Sequence, residues 1–165
     1  MPKKYCIVSA LALLSLCNCF YSFSGSTLSA HLKTVELPLF SNESLQADVA
    51  DQITQELSKQ IVSGNLLKVV ERNGDAAITG IVTSYTNTPY TFGASDTRQV
   101  SVQQYVVRIT VQVEFTDKKK DEPIYKGSVT GEGIYDLQKE NEQTGKTKAV
   151  TELIRRILQN SVQGW

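Results

Sequence analysis

Residues 105–115 carry the most regular pattern in the chain, and this pattern constrains the fold more than any other feature. Apolar or aromatic side chains occupy every odd position, and from position 108 onward the even positions are polar, namely Arg108, Thr110, Gln112 and Glu114. A period of two is typical of a β-strand, because successive side chains point to opposite faces. The chain is therefore predicted to build a sheet with one face in the core and the other wet or lightly covered.

Four further stretches have the composition of strands: residues 33–40, 66–70, 76–85 and 124–135. In the first, alternation places Val35, Leu37 and Leu39 on one face. The last contains three glycines, which favour a bulged or ragged edge strand.

Two helices are indicated by apolar residues that recur every three or four positions. The first follows Ser44, a residue type that caps helices, and precedes Gly64; its apolar positions are Leu45, Val49, Ile53, Leu57 and Ile61. The second covers about residues 140–162. A strand, a helix and a strand in this order favour a parallel right-handed crossover. The expected class is α+β. Two helices pack on one face of a four- to five-stranded mixed sheet, in the order β-α-β-β-β-β-α.

Residues 86–104 join two predicted strands by a connection much longer than a usual hairpin loop. Two interpretations remain open: a functional loop, or an end, RQVSVQQY, that lengthens the strand of residues 105–115 so that the pair projects as a hairpin beyond the sheet.

The N-terminus has the form of an export signal. Lys3 and Lys4 precede an apolar run too short to span a bilayer as a permanent helix, and this run meets Cys17 and Cys19 instead of a small-x-small cleavage site. A bacterial lipoprotein signal, in which cleavage occurs before an acylated cysteine, explains this order. Local spacing does not decide between the two cysteines.

Charge and chemistry exclude several function classes. Loss of residues 1–18 would remove Lys3 and Lys4, so that acids slightly outnumber bases and nucleic acid is not an expected partner. The lysine run at 118–120 is predicted to be a solvated turn, and His31, the single histidine, to be exposed and without a special role. No catalytic pair, metal-ligand cluster or phosphate-binding loop is recognisable, so we expect no enzyme activity, no cofactor and no metal.

Three separated stretches resemble the LptE family of lipopolysaccharide-assembly lipoproteins. CFYSFSGSTL followed by KTVELPLF is similar to the opening of that family, LKVVERNGDAAITGIVTSY to its strand, acidic-alanine turn and strand, and the final helix ends in Gly164 and Trp165. The resemblance selects Cys19 as the lipidated residue. It implies a lipoprotein signal peptide at 1–18, a lipidated tether at 19–32 and a single LptE-like α/β sandwich domain at 33–165.

The resemblance also implies a function. Family members are outer-membrane lipoproteins that lie at the periplasmic side and in the barrel lumen, plug and help assemble the LptD β-barrel, and assist insertion of lipopolysaccharide into the outer leaflet. The implied partners are an LptD-type barrel, lipopolysaccharide, and the membrane through the lipid anchor. Two lipopolysaccharide-binding positions transfer to Arg98 and Lys139. The alternative is an accessory of another envelope complex or a periplasmic ligand-binding module.

Overall fold

The computed structural model describes residues 28–94 and 100–161, with the side chains of all except 91–94 and 100–103. Six strands and two helices are present in these ranges. In chain order they are β1 (Thr34–Glu36), β2 (Ser41–Asn42), α1 (Val49–Ser63), β3 (Lys68–Val70), β4 (Ala76–Ala94), β5 (Val100–Asp117), β6 (Glu122–Asp136) and α2 (Glu142–Ser161). The α+β class and the predicted element order are confirmed, and the two-residue β2 is the one added strand.

The sheet is mixed, as expected. Its strand order is β3-β1-β4-β5-β6, with β2 beside β4. The crossover from β1 through α1 to β3 is parallel, whereas β4, β5 and β6 form an antiparallel meander. The long alternating strand β5 is therefore an inner strand between β4 and β6, and β6 is an edge.

The segment 86–104 belongs mainly to strands, so the hairpin interpretation is correct for its described residues. Pairing of β4 with β5 runs from Ala76 and Asp117 to Ala94 and Val100. Pairing of β5 with β6 ends earlier, at Gln104 and Asp136, so β4 and β5 continue past β6 as a projecting two-stranded hairpin. A register shift adjoins Pro89, where the missing N–H of proline is tolerated.

The core lies on the predicted face of β5. Val107, Ile109, Val111, Val113 and Phe115 are buried. Both helices cover this face with their apolar stripes, which include Ile53, Leu57, Ile61, Leu153, Ile154 and Ile157. On the opposite face of β5, Gln112 is exposed and the neighbouring polar side chains are half-buried.

The first strand and the start of the first helix differ from expectation. Strand β1 ends before Pro38; Leu39 is 64% exposed, while Phe40 is buried. Helix α1 begins at Val49, not after Ser44, because Asn42 Oδ1 accepts hydrogen bonds from the amide and hydroxyl of Ser44 and holds it in a preceding turn. The predicted Ser44 cap and the buried position of Leu45 were therefore wrong.

Strand β6 is an edge strand with a register shift between Pro123 and Tyr125, as predicted, but Gly131 and Gly133 lie away from this shift and have a packing role. The register with β5 is regular through Gly131 and Gly133. A Cβ at Gly131 would overlap the carbonyl oxygen of Ala149, and one at Gly133 would overlap that of Gly145. These glycines let α2 lie directly against β6.

The lysine run is a solvent-exposed turn, as predicted, whereas the prediction that His31 is exposed and without a special role was wrong. His31 Nε2 lies 2.7 Å from the carboxylate of Asp117, which is almost fully buried. Lys118 and Lys119 form ion pairs with Glu36 and Asp75 at 2.8 and 2.6 Å. These partners are distant in sequence, so local pattern gave no signal for them.

Candidate functional site

Lys139 lies in the turn of residues 137–139 between β6 and α2, and its side chain is exposed. Asp136 closes this turn: its carbonyl oxygen accepts the amides of Lys139 and Glu140 at 3.1 and 2.8 Å. The Asp136 carboxylate accepts the amide of Gln138 at 2.8 Å, and the Asp136 amide donates to Glu140 at 3.2 Å. The turn is thus held by local hydrogen bonds that do not involve the ammonium group of Lys139.

The carboxylate beside Lys139 is already engaged. Lys148 Nζ lies 2.7 and 2.8 Å from the two oxygens of Glu140. Hydrogen bonds from Lys148 and from the Asp136 amide hold the pKa of Glu140 below its ordinary value. Lys139 itself forms no ion pair with any residue in the described ranges 28–94 and 100–161. Its ammonium group is therefore available to an external anion.

Four side chains fix the place where β4 and β5 leave the sheet, next to this turn: Tyr85, Asn87, Tyr105 and Tyr135. Asn87 Nδ2 donates to the Tyr135 hydroxyl at 2.9 Å, and the rings of Tyr105 and Tyr135 have centroids 5.9 Å apart. The Tyr85 hydroxyl donates to Glu142 at 2.7 Å. Burial, together with that hydrogen bond, raises the pKa of Tyr85, so the hydroxyl remains a donor that ties β4 to the start of α2.

A buried lysine joins the two helices at the same end of the sheet. The side chain of Lys146 is 4% exposed, and its Nζ lies 2.7 Å from the carboxylate of Asp48 at the N-terminus of α1. Hydrogen bonds from Lys146 and then Gln46 lower the pKa of Asp48. A buried ammonium group requires such a partner. Sequence reasoning missed this pair, because helical periodicity puts Asp48 on the polar side of α1.

The face of the sheet away from the helices carries polar pairs between β5 and β6. Arg108 Nε lies 2.6 Å from Glu132, and Lys126 Nζ lies 2.9 Å from Glu114. Between them, the hydroxyls of Thr110 and Thr130 are 3.0 Å apart. All three pairs join residues directly opposite in the ladder. We call this surface the open face; its charges are matched within the fold.

Of the three site residues expected from the sequence, Lys139 is placed by the structure. Cys19 and Arg98 lie outside the described residues, so their roles stay predictions. The projecting hairpin extends from the end of the sheet that carries Lys139. Its last described backbone pair, Ala94 with Val100, lies past the pair of Gln104 with Asp136.

The described ranges 28–94 and 100–161 contain neither a candidate metal site nor a candidate membrane-crossing helix. No group of three or more His, Cys, Asp or Glu side chains in these ranges is arranged to hold a metal ion. No helix described there combines the length and the apolar character needed to cross a membrane.

Comparisons with solved structures show that the fold is a known one. A hypothetical protein from Chlamydia trachomatis is 10% identical, with a TM-score of 0.53 over 76% of this chain and 93% of that one. PelC from Paraburkholderia phytofirmans is 14% identical (TM-score 0.49, 81% and 91% covered), and the rare lipoprotein B from Shewanella oneidensis is 15% identical (TM-score 0.44, 76% and 91% covered). No curated protein matches the chain.

Sequence comparison gives the relationship directly. The model of the LptE family, described as lipopolysaccharide-assembly, matches residues 32–163, which include every strand and both helices described above. The chain belongs to the LptE family of lipopolysaccharide-assembly proteins.

Proposed function

We propose that this protein is an outer-membrane lipoprotein, acylated at Cys19, that plugs and helps assemble an LptD-type β-barrel and assists the insertion of lipopolysaccharide into the outer leaflet. The observation that carries the proposal is the family match over residues 32–163. The protein acts by binding and positioning, and not by covalent catalysis.

The open face supports the role of a plug. The lumen of a large outer-membrane barrel is polar, so a domain inside it needs a polar surface. Pairs such as Arg108 with Glu132 and Lys126 with Glu114 provide this surface without leaving single charges unmatched. Such a face lies against water and polar side chains at little desolvation cost, since no isolated charge is buried.

The exposed Lys139 supports contact with lipopolysaccharide. Lipid A carries phosphate groups, and an ammonium group forms charge-assisted hydrogen bonds with phosphate. Glu140 forms its direct ion pair with Lys148, and Lys139 forms none with any described residue, so the Lys139 ammonium group keeps its donors for phosphate. Arg98 is proposed as the second cation of the same contact, on the connection between β4 and β5.

Isolation of the acylated protein from membranes tests the assembly role. We expect an LptD-type barrel to copurify, and depletion of the protein to leave that barrel misassembled and lipopolysaccharide scarce at the surface. Copurification of a different envelope complex, with no barrel, would instead support the alternative accessory role.

Charge reversal separates lipid contact from barrel assembly. The double variant Arg98→Glu and Lys139→Glu is expected to weaken lipopolysaccharide binding, most at low salt where screening is least, and to leave the barrel complex intact. Unchanged binding would confine the protein to a structural role. Loss of the complex would place these two residues in the protein interface.

A further inference from the structure

Polar contacts at the end of the sheet opposite Lys139 bind the segment that enters β1 to two turns. One turn precedes β4 and contains Asp75, and the other joins β5 to β6. We name the set formed by His31, Thr34, Asp75, Asp117 and Lys119 the clasp. Nothing in the family relationship assigns a role to these contacts.

The first half of the clasp is a hydrogen-bonded carboxylate. Asp117 is 4% exposed, and its Oδ2 lies 2.7 Å from His31 Nε2. Its Oδ1 accepts the amides of Lys119 and Lys120 at 2.9 and 3.2 Å. Burial opposes ionisation, but the hydrogen bonds from His31 and these amides outweigh it and hold the pKa of Asp117 below its ordinary value. One carboxylate therefore holds His31 and the β5–β6 turn together.

The second half is centred on Asp75. Its Oδ2 accepts the amides of Lys33 and Thr34 at 3.0 Å each and the Thr34 hydroxyl at 2.9 Å. Lys119 Nζ lies 2.6 Å from its other oxygen. The Asp75 amide donates back to the Thr34 hydroxyl at 2.9 Å. The start of β1 is thus fixed to both turns by contacts that span large sequence separations.

Apolar packing reinforces the clasp. Leu32 is buried in the core, and Leu28 packs against it as a half-buried side chain. Residues 28–34 consequently lie on the domain. Fully extended, the stretch from Cys19 to Leu28 spans at most about 30 Å, whereas a stretch released as far as Thr34 would span about 50 Å.

The clasp and Lys139 lie at opposite ends of β5 and β6. Asp117 is the last residue of β5, and Gln104 pairs with Asp136 immediately before the Lys139 turn. At about 3.3 Å per residue, these thirteen steps separate the two ends by roughly 43 Å.

We propose that the clasp is an orientation device: it fixes the point from which the lipidated tether leaves the domain, so that the clasp end faces the lipid surface and the Lys139 end points away. This inference rests on the proposed function in one respect, namely the lipid at Cys19. The clasp limits how far the domain can tilt or move from the membrane, because it shortens the stretch of chain between Cys19 and the first residue that is attached to the domain.

Energy transfer to labelled lipids tests the proposal. The full-length acylated protein is placed in vesicles of phosphatidylethanolamine and phosphatidylglycerol that contain an acceptor-labelled lipid, with a donor dye on Lys120→Cys at the clasp end or Gln138→Cys at the other end. We expect transfer to be several-fold stronger from position 120. In the His31→Ala background the difference should shrink markedly, and hydrogen exchange at residues 30–34 should accelerate several-fold.

Lys33→Ala is the matched control, since its exposed side chain makes no ion pair within the described ranges and only its amide contacts Asp75. It should keep the wild-type difference. Equal transfer from both positions in the wild type, or an unchanged difference in His31→Ala, would overturn the proposal. Barrel copurification and lipopolysaccharide binding are measured on the same samples. In the wild-type protein, equal transfer from both positions with copurification and binding intact refutes the clasp alone. A retained difference in transfer with both absent refutes the proposed function alone.

Discussion

The two lysine-bearing turns at opposite ends of β6 use their lysines differently. In the β5–β6 turn, Lys118 and Lys119 pair with Glu36 and Asp75 and help to hold the segment that enters β1. In the turn of residues 137–139, backbone hydrogen bonds maintain the shape and Lys139 forms no ion pair within the described ranges. Two lysines of the first turn therefore stabilise the fold through ion pairs, whereas the lysine of the second turn is exposed to solvent.

This difference shows that a count of charges does not identify a binding site. The lysine run is the more conspicuous feature of the sequence, yet two of its ammonium groups have partners inside the fold. Lys139 is the only basic residue of its turn and forms no ion pair with any residue that the structure describes. For a nearly neutral protein that we propose to contact an anionic lipid, the position of unpaired cations matters more than their number.

Both turns depend on one core, and its disruption should have the largest effect. Val111→Asp places a carboxylate with no partner among buried side chains of β5, so we expect a loss of several kcal/mol in the free energy of unfolding. Gln112→Asp, on the exposed face of the same strand, should be mild. Chemical denaturation compares the two variants, and equal midpoints would show that the faces are misassigned.

The contact between β6 and α2, the two elements that flank the Lys139 turn, can be weakened selectively. Gly133→Ala forces a methyl group against the Gly145 carbonyl oxygen, so we expect a loss of about 1–3 kcal/mol. Gly127→Ala is the control on the same strand. Its new methyl would meet mainly the Tyr125 side chain, which can move, and should cost less than about 0.5 kcal/mol. Similar thermal stability in both would mean that α2 does not depend on this close approach.

Acid should weaken the β5–β6 turn by a smaller amount. The Lys119 hydrogen bond, followed by those from the Lys33 amide and Thr34, lowers the pKa of Asp75, and hydrogen bonds from Lys118 and the Gly74 amide lower that of Glu36. A carboxylate whose pKa is lower in the folded than in the unfolded state stabilises the fold at every pH above its unfolded-state pKa. This stability is lost as the pH falls through the folded-state pKa. Melting curves should therefore decline between about pH 5 and pH 2.

Replacement of the titrating group distinguishes this cause from general acid unfolding. Asp75→Asn should be less stable than the wild type near neutral pH and should decline less steeply with acid. If its curve runs parallel to that of the wild type at every pH, Asp75 does not contribute to the acid sensitivity.

Much of the fold was predictable because its main signals are local. The alternation of residues 105–115 correctly predicted the inner strand β5 and its buried face. Helical periodicity predicted the N-terminus of α2 within two residues. The sequence did not decide between a loop and a longer β4, since Thr, Asn and Pro around position 89 are typical of loops and only pairing with β5 makes them a strand. The exposure of Leu45 shows that helical spacing can continue by chance beyond a helix.

The candidate site was predictable only through the family resemblance. Sequence spacing placed Lys139 after the last strand, but its freedom depends on Lys148 engaging Glu140 eight residues away. The contact of His31 with Asp117 spans 86 residues, and no periodic pattern carries such information. The roles of Cys19 and Arg98 stay predictions.

The binding of lipopolysaccharide to Lys139→Glu, compared with Lys120→Glu, tests the central claim most directly. Both lysines are exposed turn residues, so neither change should alter the free energy of unfolding by more than about 0.5 kcal/mol. We predict that Lys139→Glu binds lipopolysaccharide several-fold more weakly than the wild type, with a larger loss at low salt, and that Lys120→Glu binds normally. Equal binding by both variants, or equal losses in both, would contradict the assignment of Lys139 as the lipopolysaccharide contact.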